Sequence, residues 1–192
     1  MQTQCTQQTF EFEALGRREV TARFDGGPIT SDGGGLFLRQ IEDGTHIIGQ
    51  LARCFTDFRD EDLIEHSVED LLRQRIFGLA LGYEDLNDHD QLRYDPLLAT
   101  LVGKQDPTGQ DRPRQRDRGK ALAGKSTLNR LELSPSGADQ KSRYKKITAD
   151  LGQMESLLTD FFIEAHSTPP ERIILDFDAT DDPTRFDSWQ GH

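Results

Sequence analysis

Ser67-Val68-Glu69-Asp70-Leu71-Leu72-Arg73-Gln74-Arg75-Ile76-Phe77-Gly78-Leu79-Ala80-Leu81-Gly82-Tyr83 is the stretch on which the fold turns. Val68, Leu71, Leu72, Ile76, Leu79, Ala80 and Tyr83 recur at helical spacing, which predicts an amphipathic helix over 68–83. Ser67 and Asp70 resemble a capping box, with Asp in place of the usual Glu or Gln. Downstream, Asp95-Pro96 opens another helix, with Pro at the first helical position, through Leu97, Leu98 and Leu101. Upstream, Ser31-Asp32 is read as the cap of a helix through Leu36, Leu38 and Ile41, although Gly33-Gly34-Gly35 weakens its first turn. A short helix is expected from Ile47 to Phe55. Val20, Ala22 and Phe24 alternate and suggest a strand over 18–24, ended by the turn Asp25-Gly26-Gly27-Pro28.

Beyond these, Ser126 is expected to cap a short helix, Thr127 to Leu133, which Ser134-Pro135-Ser136-Gly137 terminates. A long helix is expected over 140–166. Its seam of Ile147, Leu151, Met154, Leu158 and Phe161 steps 4, 3, 4, 3 and should pack against neighbouring helices. Pro169-Pro170 ends it. Arg172-Ile173-Ile174-Leu175-Asp176-Phe177-Asp178 then reads as the strongest strand of the chain. The pattern is mainly α, and three valines among 192 residues argue against an all-β protein.

Leu, Ile, Val and Phe together number 46 of the 192 residues, enough for a lean core. No apolar run approaches the ~18–20 residues of a membrane span, and the N-terminus lacks a basic-then-apolar signal pattern. Cys5 and Cys54 are too few for a disulfide scaffold, so a reducing, cytoplasmic setting is expected. The net charge of −11 disfavours a phosphate-coating surface. That average conceals an asymmetry. Residues 104–146 hold 12 of the 23 basic residues and 5 of the 34 acidic ones, a net of +7 against −18 elsewhere. At the centre stands Arg112-Pro113-Arg114-Gln115-Arg116-Asp117-Arg118-Gly119-Lys120. Without apolar periodicity it reads as an exposed loop, either a solvated linker or a phosphate-binding arm.

Three motifs could carry chemistry. Gly119-Lys120-Ala121-Leu122-Ala123-Gly124-Lys125-Ser126 satisfies the phosphate-loop pattern. A working loop needs a buried strand before it, and the Arg-rich residues there cannot form one. Tyr83-Glu84-Asp85-Leu86-Asn87-Asp88-His89-Asp90 could ligate a metal or be a polar helix connection, and it lacks both calcium-loop and zinc spacing. In Asp176-Phe177-Asp178-Ala179-Thr180-Asp181-Asp182, Asp176 and Asp178 share a strand face. They suit either Mg²⁺ or a solvated turn.

Several blocks resemble the N-terminal half of bacterial insertion-sequence DDE transposases of the group 1 class. They are Thr30-Ser31-Asp32-Gly33-Gly34, Leu71-Leu72-Arg73-Gln74-Arg75, and Ala80-Leu81-Gly82 through Asp90 with Arg93, Asp95 and Pro96. Ser126-Thr127-Leu128-Asn129-Arg130-Leu131-Glu132 and Leu175-Asp176-Phe177-Asp178-Ala179-Thr180-Asp181-Asp182-Pro183 continue the match in order. The resemblance implies a mainly α N-terminal region followed by the first strand of an α/β ribonuclease H-like catalytic domain. It divides the chain into a helical DNA-binding region at 1–103, the basic loop at 104–125, a helical segment at 126–168 and the start of the catalytic domain at 169–192. Asp178 matches the first catalytic aspartate, which would ligate Mg²⁺. Arg112, Arg114, Arg116, Arg118, Lys120, Lys125 and Arg130 become the candidate contacts to the terminal inverted repeats of the transposon DNA. A homodimer in a synaptic complex is a further implied partner. The family's second Asp and Glu have no counterpart after Pro183, so a truncated copy, inactive alone, is expected. The alternative expectation is a regulatory fragment that binds DNA ends without catalysis.

Overall fold

The computed structural model describes residues 9–15, 18–23 and 30–174. Strands β1 (Thr9–Leu15) and β2 (Arg18–Arg23) form an antiparallel hairpin with Phe10 opposite Ala22 and Phe12 opposite Val20. Helices follow as α1 (Gly35–Thr45), α2 (Ile47–Ala52), α3 (Val68–Ala80), α4 (His89–Leu92), α5 (Pro96–Val102), α6 (Lys125–Glu132) and α7 (Leu151–Glu164). A second small antiparallel sheet pairs β3 (Phe55–Asp57) with β4 (Ile147–Ala149). The described architecture is thus mainly helical with two two-stranded sheets.

α3 lies at the centre, packed against α2, α5 and α6. Its Leu71, Leu72 and Phe77 join Leu98, Ala99, Leu101 and Val102 of α5, Leu128 and Leu131 of α6, and Ile147 of β4 in one core. The predicted capping box is present. The Ser67 hydroxyl accepts from the Asp70 amide at 3.0 Å, and the Asp70 carboxylate accepts from the Ser67 amide at 3.3 Å. Asp95 caps α5 by accepting from the Leu98 amide at 2.9 Å, with Pro96 at the first helical position.

Four expectations are corrected. α1 begins at Gly35 without a side-chain cap, because Gly34 stands at the cap position; Asp32 lies two residues earlier, where its carboxylate accepts from the Tyr83 hydroxyl at 2.7 Å. The helix expected to reach Phe55 stops at Ala52, and Phe55 instead pairs with Ala149 across the sheet. α6 is capped at Gly124 and not by Ser126. The helix expected over 140–166 is confined to Leu151–Glu164, capped by Asp150 accepting from the Gln153 amide at 2.9 Å. Ile147 of its supposed seam is buried on β4, whereas Leu151 and Leu158 stand 69% and 66% exposed. α7 has no fully buried residue; it meets α2, with Met154 and Phe161 of the seam only half-buried. Of the strand expected over 172–178, residues 172–174 carry no strand pairing and the remainder lies outside the described residues.

The stretch read as a basic loop is partly core: Ala121, Leu122 and Ala123 are buried. Its approach is fixed by Asp106, whose carboxylate accepts from the Thr108 hydroxyl and the amides of Thr108, Gln110 and Asp111 at 2.6–3.0 Å. Those bonds favour the charged form and draw its carboxyl down to about 2. Gly109 completes the turn at φ +68°, where a Cβ would stand 2.5 Å from the Ala121 nitrogen. Backbone cannot yield as a side chain can, so Gly109→Ala should cost about 1–2 kcal/mol. Urea denaturation checks this; an unchanged midpoint would show that the turn relaxes freely.

Candidate nucleic-acid interface

Burial decides which cations of the basic stretch stay available. Arg112 is not one of them. Its guanidinium donates to a Glu65 carboxylate oxygen, to the Lys120 carbonyl at 3.1 Å and to His66 Nε2 at 2.8 Å. Lys120 bonds the Arg116 carbonyl at 2.7 Å, and Lys125 bonds Asn87 at 2.9 Å with Asp90 3.6 Å away. These three hold the loop in place. Arg114 is about half exposed and lies 3.4 Å from Glu65; Arg116 is 76% exposed with a loose 3.4 Å contact to Asp117. Arg118 is exposed and reaches only the Arg112 carbonyl. Arg130 is exposed, forms no ion pair among the described residues, and lies 5.7 Å over the Tyr144 ring.

The fold gathers five of the seven candidates around a groove of about 340 Å³ and leaves Arg118 and Lys125 outside its lining. Arg112, Arg114, Arg116, Lys120 and Arg130 line it, as do Arg59 and Arg93, which the sequence reading missed. Glu65, Asp90 and Asp117 are its carboxylates, so seven cations face three anions. Arg59 and Arg93 escaped notice because each sits among acidic neighbours in sequence, Asp57 to Asp62 and Asp88 to Asp95. Arg59 is steered inward by a bidentate pair with Asp57 and by the His66 carbonyl at 2.9 Å. Arg93 makes no ion pair among the described residues. A groove with such an excess of positive charge suits a polyphosphate backbone.

The floor of the groove is rigid. Gln74 of α3 is buried and grips Ala123 from both sides, its amide donating to the Ala123 carbonyl at 2.7 Å and accepting from the Ala123 nitrogen at 3.0 Å. The same amide reaches His89 Nδ1 at 3.1 Å. His89 is fully buried, and burial lowers its pKa, so the imidazole is neutral. Gly78 gives it room, since a Cβ there would lie 3.0 Å from the ring. Arg75 joins α3 to α6 through Glu132 and to the next turn through the carbonyls of Tyr83 and Glu84.

The phosphate-loop pattern at 119–126 folds otherwise. Its middle is core, and the Lys125 amide at the start of α6 is already taken by Asp90 at 3.2 Å. The segment Tyr83–Asp90 is a polar connection: Asp85 caps a short 3₁₀ turn, Leu86–Asp88, and Asp90 reaches α6. Among the described residues no group of three or more His, Cys, Asp or Glu side chains could hold a metal. The magnesium expectation therefore rests on Asp178, which lies outside the described residues. No helix is long and apolar enough to cross a membrane among the described residues.

No curated protein matches the chain, and no solved structure does. The family described as transposase DDE domain group 1 matches residues 12–187. That span takes in the β1–β2 hairpin from its fourth residue, the whole helical core and the basic groove, so the chain belongs to the group 1 DDE-domain transposases.

Proposed function

We propose that the chain serves DNA transposition by binding the ends of an insertion element in the basic groove, as part of a metal-dependent DNA-cleaving and strand-transferring enzyme. The groove carries this reading: Arg93, Arg114, Arg116 and Arg130 stand unpaired or only loosely paired over a floor pinned by Gln74, in a chain of net charge −11. Such a patch confines phosphate contact to one face and leaves the rest of the surface repelling DNA. In this reading a ribonuclease H-like domain begins near residue 169. Asp178 is its first catalytic carboxylate and would hold Mg²⁺, the ion supplying activation of the attacking oxygen. Two copies would meet in a synaptic complex. An end-binding regulator is the same reading without catalysis.

Fluorescence anisotropy with duplexes carrying terminal inverted repeats tests the binding. Affinity should fall steeply with salt, in proportion to the phosphates contacted. Arg114→Glu combined with Arg116→Glu should weaken it by about two orders of magnitude or more, since reversing two charges removes two contacts and adds two repulsions. Salt-independent binding, or an undiminished affinity in the double variant, would remove the groove from consideration.

A further inference from the structure

α6 has two unlike faces. Leu128 and Leu131 are buried in the core, whereas Ser126 and Arg130 are exposed and Asn129 is half-buried. Residues four apart share a helix face, so Ser126 and Arg130 align with Asn129 beside them. The backbone under that face is held near both ends, by Asp90 and Asn87 at Lys125 and by Arg75 at Glu132.

The outward groups have unspent hydrogen-bonding capacity. Ser126, Asn129 and Arg130 make no side-chain hydrogen bond to any described residue, in a region where Gln74, Arg75, Asp106 and Arg112 each make three or more. The Arg130 guanidinium lies 5.7 Å over the Tyr144 ring, within cation–π range, and its N–H donors bond no described residue.

α6 is also a ridge. Ser126 and Arg130 line the cationic groove on one side and a second groove, of about 480 Å³, on the other. Arg114 and Arg116 border the first; Lys145 lines the second, with Arg143 4.8 Å from the Tyr144 ring. An α-helix with its side chains is about 10–12 Å across, which fits the ~12 Å width of the B-DNA major groove. A helix laid there has a phosphate strand on either side, which is how cations are disposed here.

We infer that α6 is the element that reads base sequence, through Asn129 and Arg130, with the flanking cations on the phosphates. This rests on the duplex-binding reading above. Asn presents a donor and acceptor pair matching adenine N6 and N7, and Arg a donor pair matching guanine O6 and N7. Lys125 instead bonds Asn87 at 2.9 Å, with Asp90 3.6 Å away.

Selection from a pool of randomised duplexes with the full chain tests this. The wild type should enrich a motif. Asn129→Ala should lose discrimination for adenine at one position and Arg130→Ala for guanine at a nearby one, each by about tenfold or more. Arg116→Ala should weaken all sequences alike, keep the motif and lower the salt slope by about one. An unchanged motif in both α6 variants, or uniform weakening with the motif intact, overturns the inference and leaves duplex binding standing. Binding without any enriched motif overturns it too. Failure of the wild type to bind any duplex removes the groove reading as well.

Discussion

Gln74→Leu is expected to destabilise the fold by about 3–5 kcal/mol, more than any surface change in this chain. Gln74 is 1% exposed and its carboxamide makes three hydrogen bonds, two to the Ala123 backbone and one to His89 Nδ1. Leucine fills a similar volume and satisfies none of them. The Ala123 N–H and C=O and the His89 acceptor would then be buried without partners, at about 1–3 kcal/mol each. His89 Nε2 is already unpartnered, so losing the Gln74 bond would leave the imidazole with no polar contact to any described residue. Ala123 sits between the cationic loop and α6, so the same substitution should loosen the groove as well as the core. Urea unfolding measures the loss through the midpoint; a change under about 1 kcal/mol would mean the site collapses around the leucine.

Acid should unfold this protein early, through His66. Burial is the main cause that lowers its pKa from 6.5 to about 3, with the charges of Lys104, Arg112 and Arg59 adding and Asp70 opposing. The unfolded chain takes up a proton near its ordinary value that the folded chain refuses. The stability is therefore complete above about pH 6.5 and is lost progressively as pH falls toward 3. At pH 4 the loss from this group alone should be about 3 kcal/mol. His89 acts in the same direction. The folded geometry explains the refusal: His66 Nε2 already accepts from Arg112, so a proton there would set two cations 2.8 Å apart. His66→Gln keeps an acceptor that does not titrate. Its unfolding free energy should fall less steeply between pH 6.5 and 4 than that of the wild type, whatever its absolute stability. Parallel profiles would assign acid sensitivity to other groups.

What could be read from the residues follows the range of the interaction responsible. α3 and α5 begin where their sequences say, because a capping box and an Asp-Pro start act within three residues. β4 and the first residue of β3 were read as helical because each strand is held only by the other, with Phe55 opposite Ala149. Three-residue strands have no periodicity of their own to show. Ile147 illustrates the cost. Its spacing to Leu151 fits a helical seam, yet it faces the core from a strand while Leu151 stays in solvent. Asp32 does not cap α1, because the helix begins after Gly34; its carboxylate instead accepts from a tyrosine hydroxyl 51 residues away.

The sequence by itself determined the family, the mainly helical character and the location of the positive charge, all of which are set by residue order and composition. Only the tertiary structure decided which of those charges remain free. Arg112, Lys120 and Lys125 looked the same as Arg114, Arg116 and Arg130 in sequence. Folding commits the first three to Glu65, Arg116, Asn87 and Asp90, and brings Arg59 and Arg93 from acidic surroundings to the same groove. A charge's availability depends on what lies within a few ångströms of it, and that neighbourhood is assembled from segments far apart in the chain.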